Sequence, residues 1–406
     1  MRRVLVGVLI VILGLPLAGW AVLRRQASTL GTQLVADAHR LDDVRLTRAG
    51  LPGNELDCLG HHADVAPDTS RTVPWTHPVV LGVREGSLPI TDLPADMRAV
   101  LDARTPWLAS LAECAALDTV APTAGLGPIP EPNHPRRQLL PRLQESVMSL
   151  LPLLLRVRLA EGRADDAALA CTAGLQLALD VYRLEGLEGL LGALATTRAL
   201  VPACAAAAYA ASPDGRRAFL ATVELLRGEL PPFSRVMQLE RVQLSLRLFG
   251  PWLPADLDAQ LPAAARTITA SARAATTERG LVPTTALRLY WRRFDAAMQR
   301  CAEAADLPEP ARTAALVAAM KGFESPTLHR FFTSEPADLR YQLYAQEADQ
   351  LRIMLELLAV AARLHDAPLT AVPPGFTRVD TPDGLVTLTP AQPELSTLHV
   401  PVHPAR

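Results

Sequence analysis

The sequence predicts a mainly α protein with three parts: an N-terminal transmembrane helix, an irregular array of α-helical hairpins, and a small C-terminal β-hairpin element. Three observations carry this expectation. Aromatic residues make up only 4% of a chain that is 49% hydrophobic, so its core must rest on Leu, Ala and Val. Ala and Leu are the strongest helix formers, whereas aromatic and β-branched residues favour strands. A charge-free run from Val4 to Leu23 is long enough to cross a bilayer. Near the other end, the helical spacing of apolar residues gives way to alternation around Thr381-Pro382-Asp383-Gly384.

At 406 residues the chain exceeds what one hydrophobic core usually spans. Four segments are expected from composition: an anchor at 1–25, a stalk and Pro/Gly-rich region at 26–137, a helical hairpin domain at 138–367, and a β-element with tail at 368–406. A formal charge of −2 without a concentrated basic face argues against nucleic acid as a partner. Lys321 is the single lysine among many arginines. A GC-rich bacterial genome explains that bias without a functional cause.

Two arginines precede the apolar run and Arg24-Arg25 follow it. Twenty residues of helix span about 30 Å, the thickness of the hydrocarbon core. Trp20 suits the membrane interface, and Pro16 and the glycines of the run are tolerated in a spanning helix. Gly14-x-x-x-Ala18 allows close helix approach without establishing dimerisation. Gly19-Trp20-Ala21 is a passable cleavage site, so a signal peptide is the rival reading. The length of the run and its arginine border favour an uncleaved anchor. Flanking arginines are nearly balanced, so orientation rests on the habit of short-tailed anchors to leave the long domain outside the cytoplasm. The expected location is the bacterial inner membrane, single-pass, with the bulk of the chain in the periplasm.

Residues 24–48 read as a polar helix or stalk. Beyond them Pro and Gly become frequent, with short helices expected at Asp92–Arg104 and Trp107–Leu117 and an exposed loop from Pro122 to Pro135. From Gln138 helical spacing dominates. In "LLLRVRLAEGRADDAALACTAGLQLALDVYRL" apolar residues recur through Leu154, Val157 and Leu159, then Ala168, Cys171, Leu175 and Leu179. Gly162 marks a turn, and Asp165-Asp166 open the next helix, where carboxylates suit the helix dipole. With Ala167, Cys171, Gly174 and Leu175 at helix-packing positions, residues 150–182 resemble one tetratricopeptide-type hairpin. The hairpins that follow do not repeat a 34-residue period, so an irregular array is expected. Further helices are expected at Pro232–Leu248, Pro254–Thr276, Thr285–Glu303, Glu309–Met320 and Ala337–His365. Strands are expected at Phe376–Asp380 and Leu385–Thr389, with "STLHVPVHP" as a third. Between Tyr341 and Pro404 the pattern of a long helix running into a small sheet is similar to uncharacterised membrane-anchored bacterial proteins with a pseudopilin-like tail.

The stretch "DCLGHHAD", residues 57–64, concentrates groups that carry chemistry. Haem attachment needs a second cysteine before the histidine, and there is none. A zinc site would draw on Cys58 and His61, with His62, His77 or Asp64 completing it, but adjacent histidines seldom both reach one ion. No metal and no cofactor is therefore expected. In an oxidising compartment Cys58 pairs best with Cys114, since both lie in the region with the least obvious core. Cys171 and Cys204 are a second candidate pair on successive helices; both also sit on apolar faces, where a cysteine needs no partner. Cys301 is left over.

No Gly-x-Ser-x-Gly elbow, phosphate loop, His-Glu-x-x-His or dinucleotide fingerprint occurs. Asp42-Asp43 and Asp165-Asp166 read as solvated, and Glu240 with Arg235 and Arg241 as a surface ion network. Trp252, Tyr290 and Trp291 are scarce aromatics whose default role is packing. On a concave array they would also mark a binding surface. The function expected is a membrane-anchored extracytoplasmic scaffold or protein/peptide-binding protein. The alternatives are a dispersed-site enzyme, such as a metal-dependent hydrolase using the His61/His62 region, or an accessory component of a secretion or pilus-like envelope machine.

Overall fold

The computed structural model describes residues 28–40, 46–47, 50–63, 77–120, 147–262, 265–266, 268–270, 272–273, 284–308, 310–321, 337–363, 376–380, 385–390 and 398–401. The apolar run Val4–Leu23, the loop expected at Pro122–Pro135 and the turn at Thr381–Gly384 lie outside them. The fold is mainly α. In chain order it comprises α1 (28–40), β1 (Leu46–Thr47), β2 (Leu51–Asn54), α2 (Glu55–Ala63), α3 (Pro78–Glu85), α4 (Ala95–Ala115) and β3 (Leu117–Val120). There follow α5 (Leu151–Ala160), α6 (Ala164–Ala210), α7 (Pro213–Gly228), α8 (Phe233–Phe249), α9 (Ala255–Asp258), α10 (Thr284–Ala304), α11 (Ala311–Lys321) and α12 (Ala337–Arg363). The last elements are β4 (Phe376–Asp380), β5 (Leu385–Pro390) and β6 (Leu398–Pro401).

These elements form two compact units, each discontinuous in sequence. One combines the chain up to Arg45 with Pro232–Leu343; the other combines Leu46–Pro231 with Tyr344–Arg406. This division departs from the segment boundaries at 137/138 and 367/368 that composition suggests. Helical periodicity reports that a face is apolar, but not which distant segment covers it. Of the polar helix or stalk expected at 24–48, residues 28–40 are the helix α1, which is not polar all round but buries Leu34, Val35 and Ala38 in the first unit.

The second unit is organised by α6. Its backbone leaves helical geometry at Gly186 (φ 64°, ψ −128°), which divides it into two limbs. Cys171 and Cys204 are 33 residues apart, yet their Cα atoms are 5.6 Å apart. The limbs therefore fold back antiparallel, with the reversal beside Gly186, midway between the cysteines. A Cβ on Gly189 would meet the Val181 carbonyl oxygen at 2.5 Å, so the tight return requires glycine there. Gly189–Ala210 is apolar and long enough to cross a membrane, but 67% of its most apolar 18-residue stretch is buried inside the protein and Cys204 ties it to the neighbouring limb. It is a core helix.

Local chemistry sets the helix ends around this hairpin. Gly162 (φ 74°) turns the chain from α5 into α6. Ser212 caps α7 by accepting the Gly215 N–H at 3.1 Å, with Pro213 at the first helical position. Asp165, at the start of α6, accepts the Ser212 N–H at 2.8 Å and so joins two helix starts. The helices expected at Asp92–Arg104 and Trp107–Leu117 are one helix, α4, which runs through Pro106. Proline removes one backbone donor, and the Thr105 hydroxyl donates to the Leu101 carbonyl at 3.0 Å, one turn earlier at the same point. A small sheet of order β1-β3-β2 lies against α2, with β1 antiparallel and β2 parallel to β3. A second sheet, order β4-β5-β6, is antiparallel throughout.

In the first unit α10 packs on α8 and α11. Phe249 of α8 stacks on Trp291 of α10 with ring centroids 4.9 Å apart and planes 10° apart. Arg241 of α8 binds Asp37 of α1 at 2.6 Å and Asp295 of α10 at 3.0 Å, which pins three helices to one guanidinium. The helix expected at Pro254–Thr276 is interrupted: it begins as the four-residue α9, the chain turns at Ala259 and Gln260, and the described residues at 265–266, 268–270 and 272–273 are helical again.

Candidate functional site

Among the described residues, each unit has a place that gathers polar chemistry. In the second unit, α2 puts Cys58 and His62 four residues apart and hence on one helical face. Cys114, in the last turn of α4, faces them. Cys58 and Cys114 form a disulfide with Cα atoms 5.5 Å apart. The sulfurs and a ring nitrogen of His62 lie within 4.8 Å of one another. Cys114 is fully buried, whereas Cys58 and His62 are half-buried, so the bridge has one side toward solvent.

The other histidines take different places. His61 is exposed, and its ring centroid is 5.9 Å from that of His62. His77 caps α3, with its Nδ1 accepting the Val79 N–H at 3.3 Å. The structure thus joins Cys58, His62 and Cys114 and leaves His61 and His77 out of that group. The i, i+4 spacing of Cys58 and His62 was the signal for this subset. Their long-range partner carries no local mark.

Cys171 and Cys204 form the other disulfide, and both residues are fully buried between the limbs of α6. Cys301 is the free cysteine. Burial pushes its thiol up to about 12, with Arg300 opposing, which suits an inert core sulfur rather than a nucleophile.

In the first unit a cleft of about 470 Å³ opens between α1, α8 and α10. Asp37, Arg40, Gln238, Arg241, Glu303 and Asp306 line it, so it mixes both signs of charge with amides. Burial raises the Asp295 carboxyl beside it, against the pull of Arg241. Asp306 accepts the Ser234 N–H at 3.1 Å near the start of α8. The surface ion network expected of Glu240 with Arg235 and Arg241 is corrected at Arg241, whose ion pairs connect α1 and α10.

The aromatic surface expected at Trp252, Tyr290 and Trp291 is corrected at Trp291. That side chain is only 5% exposed and serves the core by its stack on Phe249, so it offers a partner no face. Trp252 closes a short 3-10 turn and Tyr290 lies on α10; their side chains lie outside the described ones.

Together these features define a mainly helical protein of two units, with two disulfides in one of them. No protein-family model matches the chain, and no curated protein and no solved structure is significantly similar to it.

Proposed function

We propose that this chain is a single-pass, membrane-anchored protein of the bacterial inner membrane, with its bulk in the periplasm, acting as a scaffold or binding protein for a protein or peptide partner. The observation that carries the proposal is the state of the cysteines: four of the five are paired in two disulfides. Such bonds persist in oxidising compartments and are rare where glutathione keeps thiols reduced. The run Val4–Leu23 supplies the attachment. A tetratricopeptide-type hairpin at 150–182 and a pseudopilin-like tail belong to the same reading, as modules suited to protein contacts.

The cleft of the first unit supports a binding role. Its cations, anions and amides suit a polar, extended chain segment better than an apolar helix. Limited proteolysis of spheroplasts tests the placement. The bulk should be digested from outside in intact spheroplasts, leaving a short membrane-protected N-terminal piece. Digestion only after lysis would place the bulk in the cytoplasm and refute the reading. A photo-crosslinker at Gln299, on the cleft, should yield a discrete adduct in these membranes, and one at Arg292 should not.

A further inference from the structure

We propose that Cys58, His62 and Cys114 are a redox-gated site for a soft divalent metal ion, closed as a disulfide and opened by reduction. The donors are already assembled. Cys58 and His62 share one face of α2, Cys114 meets them from α4, and the three ligand atoms lie within 4.8 Å of one another. Zinc binds thiolate sulfur at about 2.3 Å and imidazole nitrogen at about 2.0–2.1 Å, so ligands of one ion sit roughly 3.3–3.8 Å apart. Breaking the S–S bond lets the sulfurs separate into that range without moving either helix far. Two thiolates and one imidazole select zinc-like ions over calcium or magnesium, which prefer oxygen. Three protein ligands leave a fourth position open to solvent.

The chemistry balances with a dithiol as reductant. The dithiol passes two electrons and two protons to the bridge, becomes a disulfide itself, and leaves two thiols at Cys58 and Cys114. Metal binding then displaces both thiol protons. The half-exposure of Cys58 gives the attacking thiolate a way in, while the second bridge of the unit is fully buried. The inference stands on these three atoms and not on the membrane placement of the chain.

Full-length protein, purified in detergent, is reduced anaerobically, desalted and titrated with cobalt(II), then competed with zinc(II). The expected result is one cobalt per chain with thiolate-to-metal charge-transfer absorption, and no such band in the oxidised protein. His62→Ala, which keeps every thiol, should weaken binding at least about tenfold, and Cys58→Ser should abolish the band. Circular dichroism is recorded alongside. If reduction melts helix, metal must restore it in the wild type and fail to do so in His62→Ala. Binding by the oxidised protein, equal binding by His62→Ala, no uptake by freely labelled thiols, or melting that metal does not reverse would each overturn the proposal.

Discussion

The two disulfides of the second unit close loops of comparable size but sit in opposite surroundings. Cys58–Cys114 spans 56 residues and Cys171–Cys204 spans 33. Loop-closure entropy makes each worth about 4 kcal/mol, so the cross-links alone hardly distinguish them. Location does. Cys171 and Cys204 lie fully buried between two antiparallel limbs whose reversal at Gly186 is already fixed by close helix packing. Cys58 lies half-exposed on the nine-residue α2, beside an imidazole. One bridge reinforces a core that packs on its own account. The other joins the short α2 to the end of α4, where Leu56, Leu59 and Leu111 are buried while Cys58 stays half-exposed.

The sharpest way to break this contrast is kinetic. Under a limiting dithiol, Cys58–Cys114 should open at least about a hundredfold faster than Cys171–Cys204, because the buried pair must wait for local unfolding of several kcal/mol. Stepwise alkylation followed by peptide mass mapping reads both rates. Simultaneous opening would erase the distinction. In stability the order reverses. Replacing Cys171 and Cys204 together by Ala should cost about 3–5 kcal/mol by urea unfolding, since small cavities add to the lost cross-link. The Cys58→Ala/Cys114→Ala protein should lose slightly less, the cross-link plus a cavity at Cys114 alone, since Cys58 is half-exposed.

Gly189→Ala comes next, at about 1–3 kcal/mol, because its Cβ would strike backbone that cannot rotate away. His62→Ala should leave the stability of the oxidised protein within about 0.5 kcal/mol of the parent. That result separates a ligand from a structural residue. The smallest effect concerns Glu347 on α12. Burial raises its carboxyl, with Arg198 opposing. A raised folded-state value means the proton binds more tightly in the fold, so its contribution is present at low pH and fades as pH rises through the folded value. Glu347→Gln should therefore flatten the fall in melting temperature just above the ordinary glutamate range, and an unchanged slope would contradict this.

Local chemistry made part of this molecule legible. The scarcity of aromatics and the recurrence of Leu and Ala at helical spacing point to a mainly α fold, and the helices Phe233–Phe249 and Thr284–Ala304 begin and end within a residue of the expected limits. Both cysteine pairings are present, Cys58–Cys114 on the strength of the compartment and Cys171–Cys204 as the open candidate. What pattern could not reach was non-local. Nothing around Asp37 announces that it binds Arg241, some two hundred residues away, and nothing in the polar 24–48 stretch announces that α1 fills a core. Pro106 misled for a different reason: one lost backbone bond costs less than the burial of Leu101, Leu108 and Leu111 along a continuous α4. Within the site, His61 and His77 carry the same side chain as His62. The register of α2 against α4 separates His61 from His62, and His77 is placed apart by capping α3.

The most direct test of the account is the intact mass of the membrane-purified chain after alkylation under denaturing conditions, with and without prior reduction. The account predicts one alkyl group without reductant, on Cys301, and five with it. Five groups without reductant would mean that neither bridge exists in the cell. The disulfide contrast and the periplasmic placement would then fall together.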